Sequence, residues 1–287
     1  MTGRREFSAA AGRAVRRLAP QVFLACLALC AASGALLALQ YRPVGNVLRN
    51  VEEITTLAPY GWFIRRLHYA SGQACALLAL CHAAQYFWRR AYRRTPLAAW
   101  LRLGGGLAVC LLFLLTGFIL KADAAAVCAG TVLRTLAGAV PLAGGCLANL
   151  AVAPGEGFFF MPWLHHCLTL PLALGLLLRG HVRNWLPDAR ILAGAAVALG
   201  IWALAAPLPL PAMPPAGGAE GPWFFLGLQE LLRITPMQVG GLALPGLYLA
   251  LFCALPAVPR ALQRTAHHLL LAGAAAYVAL GLKAVLA

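Results

Sequence analysis

Residues 68–82 read HYASGQACALLALCH and residues 166–181 read HCLTLPLALGLLLRGH, so each of these apolar stretches begins and ends on a histidine. The histidines of the first stretch are fourteen positions apart, which on an α-helix places them within about 40° of one face and about 21 Å apart along the axis. The histidines of the second stretch, His166 and His181, are fifteen positions apart and miss a common face by about 60°. His165 and His181 are sixteen positions apart and would miss a common face by about 160°. The spacing predicts two helices that each present imidazoles at two depths, with His166 as the better partner.

An imidazole inside an apolar run of membrane-spanning length is costly unless something binds it. A single histidine of this kind is more often a hydrogen-bonded packing residue, but four histidines at two matched spacings indicate ligands. Zinc does not suit the pattern, because ligands about 21 Å apart on one helix cannot share an ion. Two flat cofactors held between the helices, one above the other, suit it better, and bis-imidazole ligation of haem iron fits this geometry.

Composition indicates a membrane protein. Of the 287 residues, 62% are apolar and the mean hydropathy is +0.78, which is far beyond a soluble domain. The net charge of +15 comes from arginines in short segments between apolar runs, so topology explains it and nucleic-acid binding is not predicted. The nine cysteines include no Cys-x-x-Cys-His, so a conventionally attached c-type haem is not expected. A disulfide between Cys128 and Cys146 is left open.

The apolar runs predict an all-α integral membrane protein with seven transmembrane helices. The first four would form a haem-binding bundle at residues 1–186, and the last three a second domain at residues 187–287. Residues 124–140 predict a short helix lying at the membrane interface. The expected spans are residues 21–39, 64–87, 103–120, 160–178, 191–208, 242–255 and 269–286.

Small residues mark places where a helix backbone can approach a flat cofactor or a neighbouring helix. Gly34 lies in the first span, Gly104 opens the third, and Gly117 lies near the end of the third. We therefore predict these three glycines as part of the cofactor site.

The distribution of positive charge predicts the orientation in the membrane. With a cytoplasmic N-terminus, most of the 23 basic residues fall on the inner side, as the positive-inside rule requires. The two histidine helices then run in the same direction, so their first histidines pair near the outer face and their last histidines near the inner face. The basic residues of the inner side are Arg4, Arg5, Arg13, Arg16, Arg17, Arg89, Arg90, Arg93, Arg94, Arg102, Arg179, Arg183, Arg190, Arg260 and Arg264.

The chain resembles cytochrome b, the haem-carrying core of quinol to cytochrome c or plastocyanin oxidoreductases. The likeness covers nearly the whole chain, from Gly34 to the last span. The longer spacing of the second histidine pair is similar to the photosynthetic type, in which a four-helix haem chain and a three-helix chain are separate polypeptides; here the two look fused. The likeness rests on residues 60–65 (YGWFIR), His68, His82, the region of Pro141, His166 with Pro171, and residues 222–226 (PWFFL) followed by Arg233.

This resemblance implies cofactors, ligands and partners, and it implies that the second domain, residues 187–287, carries the quinol site. His68 and His166 would hold the iron of an outer b-type haem, and His82 and His181 that of an inner one. Arg65, a cation on the same helix as His68, would neutralise an outer haem propionate. The implied function is the di-haem subunit of a bc-type complex in a bacterial inner membrane, which moves electrons between outer and inner quinone sites. The implied partners are quinone, membrane lipid, an iron–sulfur protein, a c-type cytochrome and a second copy of the chain.

The chain departs from the family pattern in three places. Cytochrome b normally reads Leu-Pro-Trp-Gly-Gln after the third span, whereas residues 120–124 read Leu-Lys-Ala-Asp-Ala. Pro222 aligns with the carboxylate of the Pro-Glu-Trp-Tyr motif that is taken to accept a quinol proton. The photosynthetic type attaches an extra haem through a cysteine that aligns with about Leu18, so that haem is not expected.

Carboxylates near the altered motifs are candidates for the missing proton acceptor. Asp123, Glu220 and Glu230 are the catalytic candidates, because a carboxylate at a membrane interface beside a ligand can act as a general base. Alternatively, Glu220 and Glu230 are solvated or pair with Arg233. Two rival functions stay open: a di-haem electron conduit with a degenerate outer quinol site, and a non-haem transporter or structural subunit whose histidines pack or relay protons.

Overall fold

The computed structural model describes residues 2–206, 208, 210 and 221–286, and this part of the chain is helical without any strand. The prediction of an all-α fold is confirmed. The α-helices are α1 Thr2–Ala38, α2 Val47–Thr56, α3 Gly61–Trp88, α4 Leu97–Ile119, α5 Ala124–Gly138, α6 Gly144–Ala151, α7 Phe160–Leu164, α8 Leu170–Trp185, α9 Ala189–Ala205, α10 Leu226–Ile234, α11 Leu244–Ala254 and α12 Arg260–Leu286.

Each predicted span overlaps a helix, although the helices differ in length and polarity. Helix α3 has 28 residues but carries many polar side chains, and Ala189–Ala205 and Gln238–Ala254 are shorter apolar helices. Together with the family evidence below, these helices make the chain a multi-pass membrane protein. The stretches that are long and apolar enough to cross a membrane by themselves are Leu18–Ala38, Leu97–Ile119, Gly155–Trp185 and Arg260–Leu286.

Aspartates begin two of the helices. The Oδ1 atom of Asp123 accepts a hydrogen bond from the N–H of Ala126 at 3.0 Å, and Asp188 does the same for Ile191 at 2.9 Å. Such caps satisfy backbone donors that a helix leaves unpaired in its first turn. They set the start of α5, the helix predicted at residues 124–140, and of α9. Helix α6 was not predicted.

Four helices surround the predicted histidine sites. Helices α1 and α4 each pack against both α3, which carries His68 and His82, and α8, which carries His181. His166 lies in the turn that leads directly into α8. The C-terminal part joins this bundle through α9, which contacts α1 and α3, and through α11, which contacts α4. The buried indole of Trp100 strengthens the second contact by donating to the carbonyl of Phe252 at 2.7 Å. Helix α8 ends at Trp185, and a domain boundary after residue 186 stays a prediction.

Candidate functional site

The structure brings the four predicted histidines together in the two predicted pairs. The ring centroids of His68 and His166 lie 6.0 Å apart, and those of His82 and His181 lie 6.4 Å apart. The ring planes are steeply inclined in both pairs, at 73° and 86°. Each histidine of α3 therefore has a partner at its own depth.

The separation within each pair suits two ligands of one iron atom. A metal–imidazole bond of about 2 Å on either side, with roughly 1 Å from each nitrogen to its ring centre, gives a centroid separation of about 6 Å. Opposed imidazoles can serve as the two axial ligands of a haem. Among the described residues, no group of three or more His, Cys, Asp or Glu side chains is placed to hold a bare metal ion. The side chains present fit two haems.

A π-helical turn, His165–Thr169, explains the fifteen-residue spacing of the second pair. In this turn the N–H of Leu170 donates to the carbonyl of His165, five residues back. Pro171 follows directly; it has no N–H to donate, and in a regular α-helix its ring would clash with the carbonyl of Cys167. The wider turn absorbs one extra residue, so fifteen positions rotate about as far as fourteen in an α-helix. The mismatch of about 60° expected for a regular helix is thereby replaced by an offset of about 40° in the opposite sense, the same as between His68 and His82.

The neighbouring histidine faces another part of the protein. The Nε2 atom of His165 lies 2.7 Å from the carbonyl of Leu150 in α6, and its Nδ1 atom lies 3.3 Å from the Thr169 hydroxyl. His165 thus contacts α6, whereas the ring of His166 faces that of His68. This placement favours His166 as the ligand, as the sequence indicated.

Two of the three predicted glycines lie against the outer histidine pair. A Cβ on Gly34 would lie 2.8 Å from Cε1 of His68, and a Cβ on Gly117 would lie 3.0 Å from Cε1 of His166. Gly104 differs: its Cβ would meet Cε1 of Phe252 at 3.3 Å. Gly34 and Gly117 make room for the outer imidazoles, whereas Gly104 allows α4 to approach α11.

The outer imidazoles have hydrogen-bond partners that the sequence did not reveal. The Nδ1 atom of His68 lies 3.0 Å from the carbonyl of Cys30 and 3.4 Å from the hydroxyl of Ser33. The Nδ1 atom of His166 lies 2.9 Å from the hydroxyl of Thr116. The sequence feature that could have indicated these partners is a hydroxyl residue directly before each glycine, in the dipeptides Ser33-Gly34 and Thr116-Gly117.

The inner pair has a different environment. His82 packs against the ring of Tyr86, with centroids 4.8 Å apart. His181 is exposed at the side of α8. Within the described part of the chain, neither ring makes a hydrogen bond to a protein group.

Two of the three candidate proton acceptors, Asp123 and Glu230, are engaged in ion pairs. Asp123 caps α5 through Oδ1, and its Oδ2 lies 2.7 Å from Nζ of Lys121. Glu230 is buried in α10, where it pairs with Arg233 and, at 3.1 Å, with Nζ of Lys283. The hydrogen bond from Lys283, supported by the charge of Arg233, lowers the pKa of Glu230. Glu220 lies outside the described residues.

Residues of the altered proline motif pack against the histidine bundle. The indole N–H of Trp223 donates to the side-chain oxygen of Gln73 in α3 at 2.8 Å. Phe224 is buried in a cluster with Ala76 of α3 and Leu114 of α4. An aromatic side chain therefore fills the space between α3 and α4 beside this motif.

Arg65 lies in the first turn of α3, one turn before His68. Its side chain is partly buried and interacts electrostatically with Asp123. Its predicted contact with a haem propionate stays a prediction.

Comparison with known proteins identifies the family. The sequence model described as Cytochrome b/b6/petB matches residues 19–181, more than half of the chain. The chain belongs to the cytochrome b family. This cytochrome b is 26% identical over 155 residues to cytochrome b6 of Oltmannsiellopsis viridis, a match that covers 52% of the chain and 72% of that protein. It is 27% identical over 161 residues to cytochrome b6 of Mesostigma viride, covering 54% and 74%.

A solved structure shares the fold over a longer range. The structure titled "Hyperthermophilic respiratory Complex III" matches this cytochrome b with a TM-score of 0.61 and 17% sequence identity. The match covers 92% of this chain and 89% of that one. The similarity in fold thus extends past residue 181 into the C-terminal helices.

Proposed function

We propose that this cytochrome b is the di-haem subunit of a bc-type quinol:cytochrome c oxidoreductase. It would carry electrons across the membrane between a quinol site near the outer face and a quinone site near the inner face. One observation carries the proposal: two histidine pairs with ring centroids 6.0 and 6.4 Å apart, at two depths of the same two helices.

The chain contributes ligands, space and a dry environment. When bound, the haems supply one-electron transfer. His68 and His166 would ligate the outer iron, and His82 and His181 the inner one. Gly34 and Gly117 leave the outer imidazoles free to face each other. The surrounding apolar helices exclude water, and an outer cation, Arg65, would balance the charge of a propionate.

The proposed partners follow from the family and from the Complex III fold. A bc-type complex would supply an iron–sulfur protein and a c-type cytochrome, and two copies of the chain would form its core. We place the protein in a bacterial inner membrane, in contact with lipid and quinone and with the N-terminus in the cytoplasm, because most arginines then lie inside.

The direct test is the haem content of the purified protein. We expect a b-type absorption spectrum and two haems per chain. A colourless preparation would instead favour the rival of a transporter or structural subunit, in which the histidines pack or relay protons.

The ion pairs of the candidate carboxylates favour a second function, that of a di-haem electron conduit. Asp123 and Glu230 are held in ion pairs, and Pro222 has no titratable group. A di-haem conduit that serves another redox subunit needs no proton acceptor at this position. Quinol-driven reduction of cytochrome c that is sensitive to outer-site inhibitors would support the first function; its absence in a sample with two haems would support the conduit.

A further inference from the structure

The outer histidine pair is flanked by two matching dipeptides on helices that supply no ligand. Ser33-Gly34 on α1 touches His68, and Thr116-Gly117 on α4 touches His166. In each dipeptide the glycine leaves room for the ring and the hydroxyl residue lies beside its Nδ1 atom. The two helices thus hold the outer imidazoles from opposite sides.

The hydrogen bonds around Thr116 define the direction of its contact with His166. The Thr116 hydroxyl donates its single proton to the carbonyl of Leu112 at 2.8 Å. A hydroxyl oxygen engaged in this way accepts from Nδ1 of His166, 2.9 Å away, in the tautomer that carries the ring proton on that nitrogen. The proton of the neutral imidazole then sits on Nδ1, and the lone pair of Nε2 is free for a metal.

The partner histidine is fixed in the same tautomer by a different group. A carbonyl oxygen cannot donate, so Nδ1 of His68 must donate to the carbonyl of Cys30 at 3.0 Å. This acceptor belongs to the backbone and cannot be removed by substitution, whereas the hydroxyl of Thr116 can. The carbonyl of Phe113 is a further polar neighbour of His166.

We propose that Thr116 is a positioning residue for the outer haem: its hydroxyl orients His166, fixes the proton on Nδ1 and makes Nε2 a stronger ligand. The inference rests on the proposed di-haem function. Hydrogen bonds of this kind, from a ligating histidine to a second group, change metal affinity by about 10- to 100-fold when they are removed.

The test compares Thr116→Val, which keeps the shape but loses the hydroxyl, with Thr116→Ser, which keeps the hydroxyl. Thr131→Val is the matched control, because Thr131 makes the same hydrogen bond to the carbonyl four residues back but lies on α5. For each protein, the midpoint potential of both haems and the rate of haem transfer to excess apomyoglobin are measured.

We expect Thr116→Val to lose the outer haem about 10- to 100-fold faster and to raise its midpoint potential, since the imidazole donates less charge to the iron. Thr116→Ser should behave like wild type, and the inner haem should be unchanged in all variants. An outer haem with wild-type potential and retention in Thr116→Val overturns the proposal, as does an equal shift of both haems. A wild-type protein without two haems refutes the proposed function instead.

Discussion

Gly117 packs directly against the ring of His166, since a Cβ at this position would lie 3.0 Å from Cε1. Such a contact is too short to be accepted without movement of the imidazole. We therefore predict that Gly117→Ala displaces His166 and reduces the haem content from two per chain toward one. Haem-to-protein stoichiometry of the purified variant measures this loss.

The same helix provides the control for that substitution. A Cβ on Gly106 would meet no atom within 4 Å, so Gly106→Ala changes the helix propensity of α4 in the same way without a clash. Gly106→Ala should keep both haems. Equal losses in the two variants would mean that the damage lies in the helix and not at His166.

Removing one inner ligand should affect one haem only. His82→Leu leaves His181 without a partner, while His68 and His166 keep their facing arrangement. We expect about half of the haem absorbance to disappear and the remaining haem to keep its potential, as measured by redox titration. His165→Leu is the matched control, because His165 bonds to the carbonyl of Leu150; loss of a haem in this variant would contradict the assignment of His166.

The sequence predicted the histidine pairs because helical periodicity fixes which residues share a face and the positive charges indicate that the two helices run in the same direction. It could not predict the π-turn, since Pro171 is compatible with a kink or a helix end as well. The Thr116-Gly117 dipeptide was a local signal, but the contact of Thr116 with His166 depends on how α4 packs against the π-turn that carries His166. The ion pair between Glu230 and Lys283 likewise requires α10 to pack on α12. The sequence alone therefore could not show whether the Glu230 carboxylate is available as a base.

Asp123 has two roles that substitutions can separate: its side chain caps α5, and its charge pairs with Lys121. Asp123→Ala removes the acceptor for the N–H of Ala126 and should destabilise the protein by about 0.5–2 kcal/mol. Asp123→Asn keeps a good capping oxygen and loses the negative charge that pairs with Lys121 and attracts Arg65. Thermal unfolding should therefore rank Asp123→Asn above Asp123→Ala. A stable Asp123→Asn protein that has two haems but no quinol oxidation would assign the proton-acceptor role to this carboxylate.

The ion pairs of the buried Glu230 carboxylate should make the protein sensitive to acid. The folded state lowers the pKa of Glu230, chiefly through the hydrogen bond from Lys283. A carboxylate with a depressed folded pKa stabilises the protein above its unfolded pKa, near 4.5, and this contribution is lost as the pH falls through the folded value. Thermal midpoints should thus fall more steeply below about pH 4.5 in wild type than in Glu230→Gln.

An exposed pair gives the control for this acid effect. Glu53 pairs with Arg49 at 3.1 Å on the surface of α2, where ion pairs contribute little. Glu53→Gln should follow the wild-type pH profile. A Glu230→Gln profile that is indistinguishable from wild type would show that the pair with Lys283 does not link α10 to α12 energetically.

The π-turn predicts opposite effects for a deletion and an insertion in the second histidine helix. Deleting Leu168, which is half exposed within the turn, together with Pro171→Ala, which removes the ring that a regular α-helix cannot accommodate, leaves fourteen positions between His166 and His181, and a regular α-helix then keeps both on one face. Inserting one alanine after Leu176 gives sixteen positions and rotates His181 by about 100°. We expect the deletion to retain both haems and the insertion to lose the inner one, by haem stoichiometry. Loss of the inner haem in both variants would mean that the π-turn itself, and not the rotation it restores, is required.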